Sequence, residues 1–274
     1  MRYYLKTKSF LNSYAEEELN GLEYERLVVN WFVLDENLDD ILPYLRFFEG
    51  IYVRKADLEL LEGECENNIE KLEGVGDLVS LTNYSLYDRF FIHSMNEVPS
   101  YVVSVLVKEM GLKSDSKIID INAGFGEVLL NVGIYLSKIP LFVHDRFLSL
   151  TPRPIRGHNV DLYGVVGNQN EFSNFGENCK CYNLKPRCSV FSFDWLDVKF
   201  HKNDFDAVIS YIGDGLSDDF YNNFFYQGEF IGERIGVISS VELDEELYSE
   251  YVECVNSFVL EGYFLYIFES LKSA

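Results

Sequence analysis

Residues 117–127 read KIIDINAGFGE, and the apolar run VLLNVGIYL follows at 128–136. Four residues of strand character end on Asp120. Ala123, Gly124 and Gly126 then lead into a helical pattern. Glycines at such a joint let the backbone approach a ligand, and the helix start offers N–H groups. In open α/β sheets, ligands sit beyond the carboxyl ends of the strands, near the switch in strand order. The same residues also shape an ordinary strand–turn–helix joint, so the stretch alone leaves a binding site and a plain turn both open.

The rhythm around this joint is α/β. KIID, VDLYGVV, CSVFSFDWL, FDAVISYI, RIGVISSV and GYFLYIFE are six candidate strands, short and apolar on both faces. They predict a mostly parallel sheet covered by helices over residues 100–274. Pro99 and Ser100 open a helix, SYVVSVLVKEMGL, that Gly111 closes. Upstream, RYYL, SYAEEELNGLE, RLVVNWFVL and NLDDILPYLRFFEGIYVRKADL read as a small α+β module over residues 1–60. Residues 61–99 read as an acidic connector. Residues 140–160 read as an insertion, with three of the six prolines and the local basic cluster Arg146, Arg153 and Arg156.

The composition narrows the function classes. The chain has 274 residues, 47% of them apolar, which is enough for a real core. It contains no apolar stretch long enough to span a membrane and no apolar leader, which predicts a cytoplasmic protein without a membrane partner. The net charge of −22 repels a phosphate backbone, and residues 1–100 hold 9 basic against 20 acidic residues. Of five cysteines, Cys179, Cys181 and Cys188 lie close in sequence, without paired C-x-x-C spacing. They read as plain thiols, and no metal site is expected.

The spacing D-x-x-x-G-x-G at Asp120, Gly124 and Gly126 resembles the first motif of class I S-adenosylmethionine-dependent methyltransferases. A dinucleotide fingerprint would need a third glycine where Leu129 stands. More of the chain resembles one group within that class, the archaeal and eukaryotic tRNA guanosine-10 N2-methyltransferases of the RNA methylase superfamily. RYYLKTKSFLNSYAEEELNGL and RFFEGIYV resemble parts of that group's N-terminal module. DINAGFGEVLLNVG is similar to its DPFCGTGGILIEA. Gly164, Gly176 and Asn178 fall in register with its second strand and following helix, and FDAVISYIGDG takes the place of DAIVTDPPYG. The resemblance implies a Rossmann-like class I methyltransferase sheet behind a small N-terminal α+β module. It implies S-adenosylmethionine as cofactor, held by Asp120, Asn122, Gly124 and Gly126, with Asp194 at the adenine.

The chain departs from the family at the chemical centre. The carboxylate that holds the cofactor ribose falls at Val166, and its loss costs roughly 1–3 kcal/mol of binding. The four positions of DPPY read Tyr211, Ile212, Gly213 and Asp214. A phenol is a poor acceptor for an amine that must shed a proton. The loss removes a term worth about 10²–10⁴ in rate. Asp214, flanked by Gly213 and Gly215, is the acid that could take over beside Tyr211. The family's RNA-binding THUMP domain has no room.

Three readings follow. One is a protein of this lineage with weakened or lost catalysis, acting as a non-catalytic partner of an active methyltransferase paralogue and meeting tRNA only weakly or through that partner. Another is an active S-adenosylmethionine-dependent methyltransferase with an altered substrate motif, acting on RNA, protein or a small molecule. The last is a nucleotide or metabolite binding module in the old pocket.

Overall fold

A computed structural model describes residues 1–58, 69–81, 98–137, 160–181, 188–192, 200–213 and 216–271. The chain divides into two compact units, whose described parts are residues 1–81 and residues 98–271.

The first unit runs β1 (Tyr3–Lys6), α1 (Asn12–Glu18), β2 (Tyr24–Val28), β3 (Trp31–Leu34), α2 (Leu38–Ile41), β4 (Gly50–Arg54), α3 (Lys55–Leu58), β5 (Ile69–Leu72) and β6 (Gly76–Ser80). Its six strands pair antiparallel in the order β2-β3-β1-β4-β6-β5. One cluster of its core is Tyr4, Trp31, Val33, Tyr52 and Leu78, with the Trp31 and Tyr52 rings edge to face at 5.2 Å. The β5–β6 hairpin lies in the stretch expected to be an acidic connector. β6 buries Leu78 and Val79 and pairs with β4, so the segment belongs to this sheet.

The second unit comprises α4 (Ser100–Glu109), β7 (Lys117–Asp120), α5 (Glu127–Leu136), β8 (Asp161–Val166), α6 (Gln169–Cys181), β9 (Cys188–Ser192), β10 (Phe205–Ile212), α7 (Asp218–Ile231), β11 (Gly232–Ser239), β12 (Val252–Leu260) and β13 (Tyr263–Ser270). Its seven-stranded sheet has the order β12-β13-β11-β10-β7-β8-β9. The five strands from β11 to β9 are parallel, and β13 and β12 turn back antiparallel. β12 is absent from the six expected strands. It is an edge strand with mostly half-exposed or exposed side chains, so it carries little apolar signal.

Helices cover both faces. An added Cβ at Gly228 of α7 would meet Ile235, and one at Gly236 would meet Met110 and Leu106 of α4 and its end. Ile235 and Gly236 are neighbours on β11 and point to opposite faces, so α7 and α4 lie on opposite sides. The core on the α7 side gathers Ile119, Val208, Ile235, Phe224, Phe225 and Phe268. Arg234 closes the end of α4 by donating from Nη1 to the Met110 carbonyl at 2.7 Å. The strand order reverses between β7 and β10, both of which end at the glycine-bearing joint. No helix among the described residues is long and apolar enough to cross a membrane.

Candidate functional site

The site starts from Asp120, the last residue of β7. It is 1% exposed, and its Oδ1 accepts from the backbone N–H of Asn122 at 2.9 Å and from the hydroxyl of Ser210 on β10. Removal from water favours the neutral acid and is the main cause of its raised pKa, about 7 against an ordinary 3.8. The two hydrogen bonds pull the other way without cancelling it.

The loop that follows is held on every side. Ala123 N–H donates to the Val165 carbonyl of β8 at 3.0 Å, and Gly126 N–H donates to the Ala123 carbonyl at 2.7 Å. The Asn122 side-chain amide reaches the Tyr211 carbonyl of β10 at 3.4 Å. The buried Asn178 of α6 donates its amide to the Phe125 carbonyl at 3.2 Å. The turn is thus tied to β7, β8, β10 and α6 before any ligand arrives.

The two glycines serve different needs. Gly124 has φ +50°, and a Cβ built there would meet nothing within 4 Å, so it opens onto space. Gly126, at φ +85°, would drive a Cβ to 2.3 Å from the Phe175 ring. A Cβ at Gly164 of β8 would meet the same ring at 2.1 Å. Phe175 is fully buried and fills the notch that these two glycines leave.

The open space is a cavity of about 230 Å³ lined by Val98, Asp120, Asn122, Ala123, Gly124, Phe125, Glu127, Val128 and Tyr211. It is smaller than the roughly 300–1,000 Å³ usual for a whole drug-sized ligand, so its volume suits part of one. The geometry brings Asp120, Asn122, Gly124 and Tyr211 together around it, while Gly126 faces Phe175. Asp194 and Asp214 lie outside the described residues, as do Arg146, Arg153 and Arg156.

At the end of β8, Val166 is buried at 1% exposure. The polar groups beyond it close the first turn of α6. Asn168 Oδ1 accepts from the N–H groups of Asn170 and Glu171 at 3.0 Å each, and Glu171 accepts from Gly167 N–H at 2.9 Å and from the Asn168 amide at 2.7 Å. Cys179 of α6 and Cys188 of β9 bring their thiols together, and that contact with burial pushes the Cys188 thiol up, so it stays protonated. No group of three or more metal-ligating side chains occurs among the described residues.

The sequence reading missed Ser210 and Phe175. Ser210 was visible as a serine hydroxyl within the buried strand FDAVISYI, where it needs a partner. Phe175 carried no such signal, because its role depends on two glycines in distant elements.

No family model matches the chain, and no curated protein matches it. Solved structures do. TrmN from Thermus thermophilus shares 12% identity over 98% of this chain and 99% of its own, with a TM-score of 0.62. SMU.472, a putative methyltransferase complexed with SAH, shares 11% over 100% and 99%, with a TM-score of 0.67. A predicted N6-adenine-specific DNA methylase from Listeria monocytogenes shares 11% over 98% and 96%, with a TM-score of 0.69. The chain has the Rossmann-like class I methyltransferase fold that these proteins share.

Proposed function

We propose that this chain binds S-adenosylmethionine at the ends of β7 and β10, does not methylate guanosine at that centre, and acts as a non-catalytic partner in RNA modification. The cavity supports the first part. Gly124 leaves room for close backbone approach, and Asp120 with the Asn122 amide offers polar partners for the amino-acid end of the cofactor. SMU.472, which has this fold, was crystallised with SAH. Bound there, the cofactor would supply a sulfonium methyl group. The ribose end fits less well, because Val166 is apolar and the carboxylate of Glu171 is engaged in closing α6.

Tyr211 carries the second part. It lines the cavity at the position where the resembled family keeps its acidic acceptor. A phenol there fills volume next to the turn and accepts a proton from an amine poorly. Calorimetric titration with S-adenosylmethionine tests the first part. Transfer of a labelled methyl group to pooled tRNA tests the second, and robust transfer by the wild type overturns it. The charge of −22 supports the third part, in which the cytoplasmic chain meets tRNA weakly or through its partner.

One observation favours an active enzyme with a changed motif. Asp120 lines the cavity with a pKa of about 7, where a carboxyl can exchange protons near neutral pH. In that case, methyl transfer is present in the wild type and absent in Asp120→Asn. Transfer that instead vanishes in Asp214→Ala points to the acid after Gly213.

A further inference from the structure

The far end of the second unit carries an apolar strip that its core does not use. The inner side of α7 is supplied by Tyr221, Phe224 and Phe225, which pack on Phe268. On its outer side, Tyr226 and Phe230 are 53% and 43% exposed, one helical turn apart. The strip continues off the helix. Tyr226 meets the Tyr251 ring edge to face at 6.1 Å, and Tyr251 accepts through its carbonyl from the N–H of Leu271, itself 47% exposed.

This strip lies at the amino ends of the parallel strands. Ile231 runs directly into Gly232, the first residue of β11, and Val252, after Tyr251, pairs with Ser270. The cavity at Asp120 lies at their carboxyl ends, so the two sites do not compete.

The surrounding charge selects the occupant. Within three residues of the strip in the chain stand the exposed acids Glu233, Glu250 and Glu253, against the cations Arg234 and Lys202, the latter next to Asn203, whose N–H donates to the Phe230 carbonyl at 3.0 Å. Arg234 is already paired with Glu269 at 3.1 Å and bonded to the Met110 carbonyl. A second copy would set acid against acid across a two-fold axis, and a nucleic acid would bring phosphates to the same field. An aromatic centre within an acidic rim suits an apolar anchor carried between cationic side chains.

We propose that Tyr226, Phe230, Tyr251 and Leu271 form a docking face for a basic polypeptide segment of a partner protein, an apolar anchor flanked by lysines or arginines. The proposal deepens the partner reading above, and its test leaves the cofactor pocket untouched, so either can fail alone.

The test compares two fluorescein-labelled peptides of equal charge, one of lysines around a central Leu-Trp pair and one of lysines only. Binding to the full chain is followed by anisotropy at about 150 mM salt, where long-range attraction is screened. The Leu-Trp peptide is expected to bind at least about tenfold more tightly, and the double variant Tyr226→Ala, Phe230→Ala is expected to erase that advantage without changing lysine-only binding. Both residues are exposed, and circular dichroism checks that the variant keeps its fold. Equal binding of the two peptides overturns the proposal, because it means diffuse charge attraction only. An advantage that survives in the double variant overturns it too. So does a dimer in sedimentation, or binding of labelled poly(U), that the variant abolishes, since the occupant would then be a second copy or a nucleic acid.

Discussion

Replacing Asp120 by Asn tests the electrostatics of the cavity directly. The folded chain holds this carboxyl at a pKa of about 7, against 3.8 outside it. Folding therefore binds the proton more tightly than unfolding does. The favourable contribution is whole below about 4 and is lost as pH rises through about 7. At about 1.4 kcal/mol per pH unit, the rise corresponds to about 4 kcal/mol withdrawn from stability by pH 8. Asn keeps an oxygen for Ser210 and for the Asn122 N–H but cannot ionise. It adds a buried amide that needs a partner, which offsets about 1–2 kcal/mol of the gain. The variant should therefore match or fall below the wild type at pH 4–5 and exceed it by about 2–3 kcal/mol at pH 8. Denaturant unfolding of both proteins across this range gives the difference, which cancels the titration of the many other acids. A difference that does not change with pH would sink the reasoning. So would a carboxyl carbon resonance of Asp120 that titrates near 4.

Gly124→Val should keep the fold, at a cost of about 1 kcal/mol or more for its positive φ, and lose S-adenosylmethionine in calorimetry. Gly126→Ala should unfold the second unit at lower denaturant, because its Cβ would strike Phe175 at 2.3 Å, and the loss should appear without any ligand. Phe175→Ala should cost about 3–5 kcal/mol in the same assay. The isolated protein should bind tRNA with Kd weaker than micromolar at physiological salt; submicromolar binding would point to Arg146, Arg153 and Arg156.

The parallel part of the sheet was legible because its strands are buried on both faces. KIID, FDAVISYI and RIGVISSV are near-continuous apolar runs that only a covered central strand needs. β12 was not legible, since VECVNSFVL lies at an edge and answers to β13 and to solvent more than to a core. The β5–β6 hairpin was hidden by its charge. Asp77 is exposed and Glu70 half-exposed, while Leu78 and Val79, neighbours on opposite faces of β6, are both buried, and composition averages these residues together.

The site was legible only to the extent that its residues act locally. Asp120, Asn122 and Gly124 sit within five residues of one another, so spacing alone groups them, and the cavity brings the same three together with Tyr211. Gly126 belongs to the same motif by spacing but to a different cause, since its missing side chain leaves room for Phe175, forty-nine positions away. A motif of glycines therefore mixes residues that face a ligand with residues that let a helix approach. The two separate by what an added Cβ would meet: empty space at Gly124, an aromatic ring at Gly126 and Gly164. The same distinction explains how the turn can keep its shape while the chemistry at β10 changes. Phe175, Asn178 and Ser210 hold the loop from inside the fold, and none of them depends on the side chain at Tyr211. A substitution at Tyr211 to Asp should then leave the loop and the fold intact. It would return an acceptor to the cavity, so methyl transfer to pooled tRNA is the measurement of interest. Recovered transfer would show that the acid alone was missing. Continued silence beside intact cofactor binding would show that Val166 and the rest of the departures matter as well.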